Sequence, residues 1–129
     1  MNHAHQKPVI LEVGAANFES EVLKSSQPVL AAFGATWSQP CRIFLDVIEQ
    51  LALTGGARFK VVIINADDNP DLSMWYEIQS IPTLICFVGG TVRAKLVGTA
   101  TKEAILAKLE PLCGPFTPGN EPPGASKNV

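Results

Sequence analysis

The residues best suited to chemistry lie in two short segments, Trp37-Ser38-Gln39-Pro40-Cys41 and Ser80-Ile81-Pro82-Thr83. In a Cys-x-x-Cys pair the first thiolate attacks a disulfide and the second cysteine resolves the mixed disulfide that results. Here Ser38 occupies the first of those positions, and a serine hydroxyl can do neither job. What a serine does well is cap a helix, its oxygen accepting from the N–H three residues on, which is that of Cys41. For Cys41 two readings stand. The first turn of a helix favours a thiolate, which would leave a residual thiol chemistry, whereas burial disfavours it and would leave a slow, structural thiol.

The other cysteines, Cys86 and Cys113, make an odd total of three at irregular spacings. That is no secreted disulfide framework, so free thiols are expected. Cys86 lies within an apolar run and reads as a small core residue. Four residues of strand carry it about 13 Å from Pro82, beyond the roughly 7 Å within which it could pair with Cys41. Cys113 ends the last periodic segment and is expected to be exposed, able to join two chains under oxidation.

The elements that must hold these residues are readable from the hydrophobic pattern. Val9 to Val13 suits an edge strand, and Asn17 to Ser25 carries Phe18, Val22 and Leu23 at helical spacing. Residues 28–33 form a continuous apolar run, as expected of a strand buried on both faces. From Ser38 onward Ile43, Phe44, Val47, Ile48, Leu51 and Ala52 make one helical stripe, ended by Gly55-Gly56. Residues 59–65 read as a second buried strand. Asn69-Pro70 then supplies an N-cap and a first-turn proline for a short helix through Leu72, Trp75 and Tyr76, with Trp75 expected to be half-buried. Residues 83–88 and 91–97 flank Gly89-Gly90 as an antiparallel hairpin, and Thr101 caps a last helix bearing Ile105, Leu106, Leu109 and Leu112. The order β-α-β-α-β-α-β-β-α predicts an α/β fold, a mixed five-stranded central sheet flanked by helices on both faces. Residues 1–8 are expected to be a flexible N-terminus, 9–112 the folded domain, and 113–129 a Pro/Gly-rich disordered tail.

Composition narrows the function classes. A chain of 129 residues suits one domain, and a net charge of -2 with dispersed acids and bases leaves no basic footprint for nucleic acid or an anionic membrane. No apolar run approaches the roughly 18 residues of a spanning helix, and the first residues lack a signal peptide's apolar core. A monomeric cytoplasmic protein is expected. His3-x-His5 has no third or fourth partner for a metal, and Gly-rich phosphate or dinucleotide loops are absent, so neither metal nor cofactor is expected.

The element order, Trp-x-x-Pro-Cys at the head of the second helix, Ile-Pro-Thr before the hairpin and Gly98 at the end of the last strand together resemble the thioredoxin family. The resemblance covers about residues 9–112 and implies a cis Ile81–Pro82 bond facing Ser38 and Cys41. It further implies that Trp37, Pro40, Ile81, Pro82 and Gly98 form a shallow apolar groove for an extended peptide of a client protein. The family's buried aspartate, a proton relay for the second cysteine, and its lysine partner fall at Ala32 and Ile63. Nucleophile, relay and relay partner are thus all replaced. Exchanging both members of a buried ion pair for apolar residues is the stable way to lose it, because either one left alone is an uncompensated charge. The expectation is a non-catalytic partner-binding module in thiol and protein redox homeostasis. The alternative is a residual or monothiol thiol-disulfide oxidoreductase using Cys41.

Overall fold

A computed structural model describes residues 10–55 and 58–113. The readings made above for residues 1–9, Gly56, and residues 114–129, including His3 and His5, lie outside the described residues. The elements are β1 (Leu11–Glu12), β2 (Val29–Gly34), α1 (Gln39–Gly55), β3 (Lys60–Asn65), α2 (Pro70–Trp75), β4 (Thr83–Val88), β5 (Thr91–Val97) and α3 (Lys102–Cys113), with one π-type turn at Glu19–Leu23. They build a five-stranded mixed sheet in the order β1-β3-β2-β4-β5. β1, β3 and β2 run parallel, and β4 and β5 are antiparallel.

β2 lies at the centre and is buried from Val29 to Phe33, which is why it reads as an unbroken apolar run rather than an alternating one. Its side chains still alternate in direction and feed two separate cores. Leu30 and Ala32 face Phe44, Ile48 and Leu51 of α1 and Ile105 and Leu109 of α3. Val29, Ala31 and Phe33 face Val13, Phe18 and Val22, with Leu72 and Tyr76 packed at the margin. Phe18, Tyr76 and Phe87 meet in that second core as an aromatic trio with centroids 5.3–5.8 Å apart, edge-on or tilted as ring quadrupoles prefer. Burial there raises the Tyr76 phenol above its ordinary pKa.

Local departures from the sequence reading have identifiable causes. Residues 17–25 hold one π-type turn in place of a regular helix, with Lys24 N–H donating to the Glu19 carbonyl. The Glu21 carbonyl accepts from Lys60 Nζ at 2.7 Å, while the Ser25 N–H turns to Val22. The same ammonium pairs with the Glu21 carboxylate at 2.7 Å, so a contact from β3 has overridden the local pattern. Asn69 precedes α2 but makes no side-chain cap. Its amide accepts from the Ala15 N–H and donates to the Asn65 carbonyl, tying two loops together. Thr101, by contrast, caps α3 through the Ala104 N–H at 3.1 Å. β5 is an exposed edge despite its β-branched composition, and Lys95 reaches from it to the carbonyls of Tyr76 and Glu77. Charged side chains on such an edge discourage pairing with other chains.

α1 ends where the chain turns tightly against the core. A Cβ placed on Gly55 would lie 2.5–2.8 Å from the ring of Phe59, which is itself buried. The glycine is required by that close approach. Gly55→Ala should therefore lower stability by about 1–3 kcal/mol through overpacking, read as a lower denaturant midpoint at unchanged slope. An unchanged midpoint would show that the Phe59 ring moves aside freely.

Candidate functional site

Ser38 and Cys41 sit at the junction where β2 hands the chain to α1. The Ser38 side chain is buried, and its Oγ accepts from the Cys41 N–H at 3.3 Å, while its carbonyl accepts the Arg42 N–H. The hydroxyl is spent on the helix N-terminus. Cys41 is half-buried and its sulfur rests against β2: a Cβ on Gly34 would stand 3.1 Å from Cys41 Sγ. Arg42, the cation next in sequence, turns its guanidinium to the Thr36 carbonyl at 2.7 Å.

Behind Cys41 lies a cavity of about 200 Å³ whose walls include Ala32, Ile63, Phe44, Ile48 and Pro82. Ala32 and Ile63 are direct cross-strand partners between β2 and β3. No carboxylate and ammonium meet across that register. The space behind the thiol has mainly apolar walls, with Glu12, Thr36, Arg42 and Asn65 also contributing.

The Ile81–Pro82 bond is cis, and Pro82 is buried, sharing the cavity wall with Cys41 rather than lying open at the surface. Gly98, at φ 90°, donates its N–H to the Pro82 carbonyl at 2.8 Å. That bond joins the end of β5 to the loop before β4, and only glycine enters this backbone region without strain. Thr83 Oγ1 closes the loop on the Ser80 carbonyl at 2.7 Å. Trp37 is 68 % exposed yet held in place, its Nε1 donating to Asp67 Oδ2 at 2.6 Å. Asp67 is in turn set by Asn65, whose Oδ1 accepts from the N–H groups of both Asp67 and Asp68. Asn65 and Asp67 escaped the sequence reading. The Asx-rich stretch 65–69 was their signal, since such side chains bond nearby backbone and fix loops.

Around this centre Pro40 is exposed and Ile81 half-buried. Ile43, expected in the core, is 62 % exposed. Ile43 joins Pro40, Val47 and residues 99–101 in lining a second, open cleft. Trp75 likewise departs from expectation at 78 % exposure, with Met74 beside it at 73 %. Cys113 does not stand free: it packs on the first core and interacts with Cys86. Among the described residues no group of three or more His, Cys, Asp or Glu could hold a metal ion, and no helix is long and apolar enough to cross a membrane.

A family model described as Thioredoxin matches residues 9–111. The chain belongs to the thioredoxin family. It is 40 % identical over 101 residues to a thioredoxin of Acidithiobacillus ferridurans, covering 78 % of this chain and 94 % of that one. Thioredoxin 1 of a Nostoc species is 39 % identical over 99 residues, covering 77 % of this chain and 92 % of the relative. A Mycobacterium bovis thioredoxin is 36 % identical over 104 residues, 81 % of this chain and 90 % of the relative. Membership accounts for the sheet, the helices on both its faces and the place of the two motifs within them.

The apolar register behind Cys41 makes a stability prediction. Ala32→Asp puts a carboxylate opposite Ile63 without a partner, at a cost of about 3 kcal/mol at neutral pH. Burial raises that carboxyl's pKa above its unfolded value, so the deficit should be complete above the raised folded pKa, shrink as pH falls below it, and vanish below the unfolded pKa, where the group is neutral in both states. Adding Ile63→Lys should recover part of the loss. A melting temperature unchanged by Ala32→Asp at pH 7 would mean that water reaches this position.

Proposed function

We propose that this thioredoxin-family domain is a non-catalytic binding module that docks an extended segment of a protein partner in the groove of Trp37, Pro40, Ile81, Pro82 and Gly98. The observation that carries the reading is a contrast within a single site. Trp37 is pinned by Asp67 and Pro82 by Gly98, so three of the groove residues are held by bonds of their own. The position from which a nucleophile would act holds a serine engaged as a helix cap, and the relay register holds Ala32 and Ile63. A partner strand laid beside Pro82 would gain backbone hydrogen bonds, and the exposed Trp37 ring would add apolar area. This is client recognition without electron transfer, and it suits a role in thiol and protein redox homeostasis in the cytoplasm, for a monomer of domain 9–112.

One observation favours a second reading. Cys41 is half-buried rather than sealed, so its sulfur could meet a small thiol or disulfide. A monothiol oxidoreductase would then operate through Cys41 with an external thiol completing each exchange. Native-state alkylation of Cys41 as a function of pH, with Cys86 and Cys113 changed to serine, separates the two. Slow modification at neutral pH supports the binding module; rapid modification there supports the monothiol enzyme.

Two outcomes are expected of the proposed module. With a dithiol donor, insulin disulfides should be reduced no faster than background, and Ser38→Cys should restore turnover only in part because Ala32 and Ile63 supply no relay. Thioredoxin-like turnover by the unchanged chain would overturn the reading. In titrations against extended peptides that bind the domain, Trp37→Ala should weaken affinity by about tenfold or more, as loss of an exposed aromatic anchor does. If Trp37→Ala and Pro82→Ala both fold and leave that affinity unchanged, the groove is not the docking site.

A further inference from the structure

Cys86 and Cys113 lie apart from the Ser38/Cys41 site, on the far part of the same core. Cys86 is in the middle of β4, paired with Leu30 and Ala94 across the sheet, and is fully buried. Its side chain belongs to the core that α1 and α3 cover. α3 crosses this face with Ile105 and Leu109 buried, and its last turn sets Leu112 and Cys113 against the same cluster. The two thiols there interact side chain to side chain. Cys113 keeps part of its surface in solvent, whereas Cys86 has none.

We infer that Cys86 and Cys113 are a second thiol pair of this protein, a site of reversible oxidation by hydroperoxides to an intramolecular disulfide that staples the end of α3 to β4.

The asymmetry of the pair assigns the roles. Hydrogen bonding with Cys86 lowers the Cys113 thiol below its ordinary pKa, against the opposing effect of burial. The same interaction raises Cys86, burial and the charge of Cys113 raise it further, and Arg93 opposes them. Cys113, partly in solvent, is the thiol of the pair that a solvent-borne oxidant can reach, and the direction of its shift agrees with that role. Its sulfur attacks the outer peroxide oxygen, the O–O bond breaks, and a sulfenic acid forms with release of an alcohol, or of water from hydrogen peroxide. Cys86 then attacks the sulfenic sulfur, gives up its proton, and expels the hydroxyl as water. Overall two thiols lose two electrons and two protons to one peroxide. A dithiol reverses the change by exchange. Pro111 lies in the last turn of α3. Lacking an N–H, it removes one helical hydrogen bond just before Cys113 and eases adjustment of that turn to the specific geometry a disulfide needs.

The test uses the full chain exposed to hydrogen peroxide in small molar excess, followed by alkylation, intact mass measurement and non-reducing peptide mapping. The expected product is monomeric, lighter by two hydrogens, with one linkage joining Cys86 to Cys113, and dithiothreitol should restore the starting mass. Cys113→Ser should abolish the linkage. In Cys86→Ala, Cys113 should instead pass to the sulfinic acid or to chains joined through Cys113, because its resolving thiol is gone. Mapping of the unchanged chain needs no variant to fold. If Cys113 in that chain is over-oxidised or joins two chains while Cys86 remains alkylatable, or if the linkage includes Cys41, the inference is overturned.

Discussion

β2 runs between two apolar layers, and everything at the candidate site hangs from it. From Val29 to Phe33 it is shielded on both faces, with β3 and β4 taking its backbone hydrogen bonds on either side. A strand so placed tolerates no charge without a partner, because desolvating a lone ion costs several kcal/mol, on the order of what holds a domain folded. The pairing of Ala32 with Ile63 satisfies that constraint without ions. It also determines what lies directly behind Cys41, a mainly apolar hollow in which the Ala32–Ile63 register supplies no ion pair.

The end of β2 delivers Trp37, Ser38 and Cys41 to the surface side by side, yet the three face different physical surroundings. Ser38 is inward and occupied by the helix it starts. Cys41 borders the hollow shared with Pro82. Trp37 projects outward, its ring orientation held by a hydrogen bond to a loop that Asn65 organises. A ring both exposed and fixed loses little freedom when something binds to it, and pre-ordered side chains of this kind spare a complex part of its entropic cost. The binding reading of this thioredoxin-family domain rests on that pre-ordering together with the capped serine.

The sulfur atoms show how strongly environment separates groups of identical chemistry. Cys41 neighbours glycine and an apolar hollow, Cys86 is closed inside the sheet's covered face, and Cys113 sits at its margin. The last two adjoin each other, and their interaction lowers the pKa of Cys113 while it raises that of Cys86. Counting cysteines could not make that division. It follows from α3 lying across β4.

What could be read from the residues alone was whatever depends on near neighbours along the chain. The buried runs of β2 and β3, the Gly89-Gly90 hairpin, the Ser38 cap on Cys41 and the Thr101 cap on Ala104 all follow from periodicity or from bonds three residues long. The family motifs fell within those elements and carried the sheet order with them. Tertiary structure decided the rest, because each remaining feature depends on partners distant in sequence. Lys60 takes the Glu21 carbonyl and reshapes a turn; Asn69 serves Ala15 and Asn65 in place of its own helix; Asp67 fixes Trp37. Ile43 obeys the helical period but lines an open cleft with Val47 and residues 99–101, so periodicity placed it on the stripe and only packing could show that it stays largely exposed among the described residues. Cys86 and Cys113 come together for the same reason: a pattern along one chain specifies which face a residue takes, and the docking of one element on another specifies what that face meets.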